Sequence, residues 1–401
     1  MIIVVSQRIP YPPNKGEKLR TYYQVKHLVD AGHKVVVYSL RHDKRDDEHA
    51  IKLSQSLGVD VELFTMPSRP IRLLAALIKG QALSVGEFYS HHLKKRLALD
   101  SITHESFTLL VCASSLAPYV LHNRQFKRDN CRLLMDFMDV DSDKWRQYSE
   151  KSNGVMKWIY NRESNKIKEL EIATNREFDT CFLIAEAEIT LFEDNVSKSK
   201  PVEKLNNGMD FDAFYPATDE LKALSPTFLF AGVMDYKPNI DAVLWFYEKC
   251  WRQIKTEIPD AQLVIAGMNP TALITDLAKQ NDIHVTGFVD DILPYFHQAW
   301  AFIAPFQLAR GVQNKVLQAS ACKLPIVTTP MGAEGIDFAN SSTMYIEDDV
   351  FQFAIACINA VKDTDNASVK AERAYDSVRH SFSWATKLKP LENALINKTN
   401  D

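Results

Sequence analysis

No two cysteines in this 401-residue chain stand in a C-x-x-C spacing. The six present (Cys112, Cys131, Cys181, Cys250, Cys322 and Cys357) are scattered, mostly through apolar runs, which argues against a zinc ribbon or a dithiol redox centre. They read as core thiols of a reducing compartment. Positive charge is also lacking: the net charge of -4 disfavours a general nucleic-acid binder. Nowhere do about twenty uncharged apolar residues run together, so no membrane-spanning helix is expected. The apolar opening, Met1 to Val5, is too short for a signal peptide and stops at Ser6-Gln7-Arg8, so it reads as a first strand. The G-x-G-x-x-G fingerprint is missing, which disfavours a nicotinamide dehydrogenase.

What remains is a length sufficient for two or three domains and a 46% hydrophobic content that supports full-sized cores. Apolar runs predict strands at 1–5, 34–40, 60–64, 108–112, 132–136 and 180–184, with helical patterns between them. A polar stretch ending in Lys198-Ser199-Lys200-Pro201 marks a boundary. Beyond it a second series is predicted at 227–231, 262–266, 284–286, 301–304 and 325–328, and then helices over 350–396, interrupted at 363–366 and 381–384. Such alternation implies an α/β protein with parallel sheets covered on both faces.

Several stretches carry chemistry. After the first strand, prolines and charges concentrate in Arg8-Ile9-Pro10-Tyr11-Pro12-Pro13 and in Gly16, Glu17, Lys18 and Arg20. These last four read as a polar loop at the carboxyl end of a strand, where open α/β sheets place ligands. Asp139-Val140-Asp141 has the form of a D-x-D metal clamp, and it also reads as a helix cap. The helix after it is expected to run from about Lys144 to Phe178, with a break at 152–154. Residues 69–79 and the cluster His91-His92-Leu93-Lys94-Lys95-Arg96 combine apolar and basic side chains, suited either to an anionic bilayer surface or to packing on the sheet.

In the second half, Gly232, Gly267 and Gly287 each follow or end a predicted strand, so that a ligand can lie against bare backbone along the sheet edge. The run from Pro305 to Thr329 reads as strand end, short helix and next strand. Gly311 allows a tight turn there, and Arg310 and Lys315 flank a helix start suited to a phosphate. Asn314 and Gln318 share one face of that helix. Taken alone, the segment also reads as an ordinary strand–helix–strand unit with a solvated polar face.

Three ordered stretches resemble the retaining glycosyltransferases of the GT-B fold in the large group often called family four: Asn206-Asn207-Gly208 through Pro216, Val285-Thr286-Gly287-Phe288 through Ile292, and the run up to Pro325. Residues 8–18 and 231–241 are similar to the sugar transferases associated with the exosortase, or PEP-CTERM, system. The resemblance implies two Rossmann-like domains with parallel sheets facing a central cleft. It sets an acceptor-side domain over 1–197, a nucleotide-sugar domain over 198–380 and a C-terminal helix over 381–401 that crosses back to the first domain. Domain closure would join the substrates and exclude water.

On this likeness the enzyme moves a sugar from a nucleotide diphosphate sugar, as co-substrate, to an acceptor hydroxyl with retention. Lys315 and Arg310 would stabilise the leaving diphosphate and Asp139 would orient the acceptor. Donor contacts would come from Gly232, Lys237, Gly287 and Phe288, and from Gly311, Val312, Asn314 and Gln318. Gly16, Glu17, Lys18, Arg20 and Asp141 would shape the acceptor side. No metal and no other cofactor is expected. The likeness further implies exopolysaccharide assembly on a lipid-linked or glycan acceptor, by a cytoplasmic protein at the inner face of the membrane. The chain departs from the group in two places: Arg310 and Gln318 stand where two glutamates eight apart are usual, and Val233 follows Gly232 where arginine is usual. These departures leave room for a non-catalytic GT-B scaffold, and GT-B architecture also serves a nucleotide-sugar epimerase. A metal-dependent transferase built on Asp139-Val140-Asp141 is a further alternative.

Overall fold

The computed structural model describes residues 1–13, 16–218, 221–308 and 312–396. The chain forms two units, Met1–Gly208 with Lys387–Asp401, and Met209–Thr386.

The first unit is built on seven parallel strands: β1 (Ile2–Ser6), β2 (Val35–Leu40), β3 (Asp60–Phe64), β4 (Phe107–Cys112), β5 (Cys131–Met138), β6 (Thr180–Leu183) and β7 (Val202–Lys204). Their order is β3-β2-β1-β4-β5-β6-β7. Continuous apolar runs such as Ile2 to Val5 and Leu109 to Val111 fit strands buried on both faces, and these residues are almost wholly inaccessible. The helices are α1 (Gly16–Asp30), α2 (Arg45–Leu57), α3 (Arg69–Ile78), α4 (Leu83–Glu87), α5 (His91–Thr103), α6 (Pro118–Leu121), α7 (Asp141–Glu150), α8 (Gly154–Glu177) and α9 (Glu186–Asn195). The expected long helix is thus two, divided at 151–153, where Gly154 takes a left-handed φ of 58°.

The second unit holds six parallel strands: β8 (Thr227–Ala231), β9 (Gln262–Ala266), β10 (Ile283–Gly287), β11 (Ala301–Ala304), β12 (Ile326–Thr328) and β13 (Tyr345–Ile346), in the order β10-β9-β8-β11-β12-β13. Its helices include α10 (Lys237–Trp245), α11 (Arg252–Glu257), α12 (Ala272–Leu277), α13 (Leu293–Gln298), α14 (Asn314–Ala321), α15 (Val350–Lys362) and α16 (Thr364–Phe382). The interruption expected at 363–366 shrinks to Asp363. Its carboxylate accepts from the Asn366 N–H and starts the next helix at once. The final helix, Lys389–Ile396, belongs to the first unit, where Glu392 lies 3.6 Å from the His27 ring on α1.

In both sheets the strand order reverses beside the first strand, between β1 and β4 and between β8 and β11. Helices leaving neighbouring strands there turn to opposite faces, opening a crevice at the carboxyl ends of the strands, the usual ligand position in doubly wound sheets. Five cysteines are buried and Cys131 is half-buried, and all six are free thiols.

Candidate active site

In the second unit, Lys315 occupies that reversal point. It is the second residue of α14, and its ammonium lies 5.2 Å from the ring centre of Phe230 at the end of β8 and 4.7 Å from that of Phe306 just after β11. Its Nζ donates to Asn239 Oδ1 at 2.7 Å, and Asn239 Nδ2 donates to the Val233 carbonyl at 2.8 Å, which fixes the amide's orientation. Asn239 is buried on α10. Among the described residues no carboxylate pairs with Lys315. Burial pushes its pKa down from 10.5 to about 8. A cation held between two aromatic faces, at the positive end of a helix and without a carboxylate partner among the described residues, suits an anion.

The floor beneath it is bare backbone. A Cβ on Gly232 would come within 2.8 Å of Asn239 Nδ2 and 3.1 Å of Lys315 Nζ. At Gly267, with φ of 146°, a Cβ would meet the Gly232 carbonyl oxygen at 1.7 Å. Gly287 ends β10 with a φ of 67° and open space beside it.

The other expected donor residues are less concentrated. Lys237 is exposed on α10 and its ammonium is taken by Asp241 at 2.6 Å, so the structure gives it a partner other than a diphosphate. Phe288 and Asn314 are exposed, and Val312 and Gln318 are partly buried on the same chain segments. Arg310 and Gly311 lie outside the described residues. Asn239 is the residue that the sequence reading passes over. Its signal is faint: it stands two places after Lys237 in the run from Asp235 to Asp241.

In the first unit the expected acceptor loop is corrected to a helix. Gly16 opens α1, and Glu17, Lys18 and Arg20 lie in its first two turns. Glu17 pairs with Arg8, and Lys18 Nζ donates to the Tyr11 carbonyl at 3.2 Å. Arg20 is enclosed within the unit. It is 1% exposed, and it donates to both oxygens of the buried Asp136 at 2.6 and 2.9 Å and to Asn207 Oδ1 at 2.8 Å. An arginine so enclosed braces the sheet from within.

Asp139, just beyond β5, is exposed, whereas Asp141 is turned inward to accept from Ser114 Oγ. Burial raises the Asp141 pKa, and it raises that of its neighbour Glu171 to about 8. Asp141 is the first residue of α7, and the residue at its N-cap is Val140. Among the described residues no group of three or more His, Cys, Asp or Glu is placed to hold a metal ion. Ala113 and Met138, at the ends of the neighbouring strands β4 and β5, both have positive φ, 108° and 67°. Such strain in non-glycine residues is common where a binding edge is shaped.

Comparison with known proteins adds a match over part of the chain and a shared fold. Residues 225–363 match the model of the glycosyl transferases group 1. A Klebsiella pneumoniae protein described as an uncharacterized 44.6 kDa protein in cps region is 22% identical over 402 residues, covering 95% of this chain and 96% of its own. Among solved structures, a glycosyltransferase from Rickettsia africae superposes with a TM-score of 0.61 at 15% identity, covering 100% of this chain and 99% of that one. Anabaena Alr3699/HepE, solved in complex with UDP-glucose, superposes with a TM-score of 0.58 at 13% identity over 98% of this chain and 99% of its own. With its two parallel-sheet Rossmann-like units the chain has the fold of the GT-B glycosyltransferases, and residues 225–363 of it are similar to the glycosyl transferases group 1.

Proposed function

We propose that the protein transfers a sugar from a nucleotide diphosphate sugar to an acceptor hydroxyl, with retention of the anomeric configuration and without a metal. The observation that carries this reading is the Lys315 ammonium, buried between Phe230 and Phe306, steered by Asn239 and lacking a carboxylate among the described residues. As the anomeric C–O bond breaks, negative charge grows on the leaving diphosphate. A cation already desolvated and oriented stabilises that charge without reorganising. The N–H groups at the start of α14, at the positive end of the helix, add to it. Gln318, one turn on, can hydrogen-bond a ribose hydroxyl but supplies no charge. Arg310 is assigned to the same diphosphate and Asp139, exposed at the end of β5, to the acceptor hydroxyl. Retention rests on the likeness of the sequence motifs to retaining transferases.

A UDP-sugar is the first donor to test, because Anabaena HepE was solved with UDP-glucose. Surface polysaccharide assembly is supported by the relative in a cps region and by the exosortase-type motifs. Work at the inner face of a membrane is supported by α3, which exposes Ile71, Leu74, Leu77 and Ile78 beside the cations Arg69 and Lys79. Among the described residues no helix is long and apolar enough to cross a membrane.

The test is nucleoside diphosphate release by the purified protein from a panel of nucleotide sugars, with and without acceptor glycans, repeated with Lys315→Ala. Acceptor-dependent release that is lost in the variant is expected. Conversion of the donor sugar without any acceptor would make the protein an epimerase, and wild-type protein that neither binds nor turns over any donor would sink the reading.

A further inference from the structure

The first unit carries a second basic recess, far in sequence from Lys315 and independent of the donor reading. Lys79, at the end of α3, and Lys94, on α5, line a pocket of about 180 Å³ together with Gln81, Tyr89, Tyr119 and His122. Among the described residues no carboxylate lines it. The acidic groups nearby are engaged elsewhere: Glu163 accepts from the Leu83 and Ser84 N–H groups, Glu87 pairs with Arg69, and Glu169 pairs with Lys166.

The walls are fixed. Tyr119 donates to the Phe88 carbonyl at 2.7 Å, and its ring lies parallel to that of Tyr89, 5° apart in plane and 6.4 Å between centres. The Lys79 ammonium sits 5.5 Å from the Tyr89 ring centre, and Lys94 Nζ donates to the His122 carbonyl at 2.9 Å. Arg162 donates to the Gln81 carbonyl at 2.9 Å through Nη2, while its Nη1 is buried with no acceptor among the described residues. Burial first, and then Lys79, lowers the Lys94 pKa; burial and then Lys94 lowers that of His122. The cations therefore repel one another across a recess that supplies no negative charge.

We propose that this pocket binds a phosphate or diphosphate group. A recess lined by two lysines and no carboxylate among the described residues suits a charged group. Lysines bind phosphate as point charges, and the aromatic wall limits the water that would otherwise screen them. The group can belong to a lipid, whose chains would follow the exposed apolar face of α3 that ends at Ile78, or to a soluble phosphate.

The experiment uses full-length protein carrying Lys315→Ala, which removes the donor site from the signal. Inorganic pyrophosphate is titrated into it, and vesicles of phosphatidylcholine with and without phosphatidic acid are co-sedimented with it. At least one probe is expected to bind, with affinity falling about fivefold or more in Lys79→Gln and held in Lys79→Arg. Binding to phosphatidic acid vesicles alone assigns a lipid phosphate, and pyrophosphate binding of equal sensitivity assigns a soluble one. The Lys79 side chain makes no hydrogen bond among the described residues, and its backbone N–H bond to the Ala75 carbonyl survives substitution, so Lys79→Gln is expected to leave the fold intact; Lys94→Gln is read only alongside a thermal unfolding curve. Binding of neither probe, or binding untouched by both substitutions, overturns the proposal.

Discussion

Asn239 Oδ1 accepts from Lys315 Nζ at 2.7 Å, joining the start of α10 to the start of α14 across the end of β8. A neutral amide holds the ammonium without cancelling its charge. Asn239→Asp would place a carboxylate of nearly the same shape there, pair the lysine and compete with the donor. Donor affinity is expected to fall about tenfold or more while thermal stability is kept or improved. Calorimetric titration with UDP-glucose, beside an unfolding curve, checks both; unchanged affinity would show that Asn239 does not govern the ammonium.

The pH dependence of donor binding follows from burial of the same group. With a pKa near 8 in the free protein, Lys315 is charged at neutral pH and loses its proton as pH rises past that value. Donor dissociation constants should be flat below about pH 7.5 and climb roughly tenfold per pH unit well above 8. Stability runs the other way. The folded pKa lies below the unfolded one, so the burial penalty is present in full below 8 and is relieved between about 8 and 10.5.

Lys315→Met extends this argument. Moving the pKa from 10.5 to about 8 corresponds to roughly 3 kcal/mol spent on holding a buried charge. The thioether stem fills the space between Phe230 and Phe306 without that cost. The variant is expected to unfold a few degrees higher than the native protein and to lose donor binding. A variant both less stable and still able to bind donor would contradict the role given to the lysine.

Arg20→Ala should behave in the opposite sense. Among the described residues it leaves the buried Asp136 carboxylate only Gln24 and the Met138 N–H as partners. A loss of about 3–5 kcal/mol is expected, read as a lowered denaturant midpoint. Any fall in activity should then track the folded fraction and not the donor affinity.

The strands of the second unit were legible because a buried parallel strand is a continuous apolar run ended by a turn residue. β8, β9 and β11 fall at the expected residues, and Gly232 and Gly267 close the first two. β7 and β13 were not, since Val202–Lys204 and Tyr345–Ile346 are edge strands too short to show a pattern. Around Gly16 the prolines upstream suggest a loop, yet helix begins at once. The burial of Arg20 depends on Asp136, 116 residues away, and no local signal carries such a pairing. The basic helix start at Lys315 could be read in order along the chain, whereas its partner Asn239, 76 residues earlier, could not.

The meeting of Gly232 with Gly267 limits how this domain can change. A surface of main chain alone has no side chain to vary, and even one methyl group at Gly267 would collide with the carbonyl of its neighbour. Divergence toward a different donor must therefore work from the rim, at positions such as Phe288, Val312, Asn314 and Gln318. A library confined to those four would keep the glycine floor while sampling new sugar or base preferences.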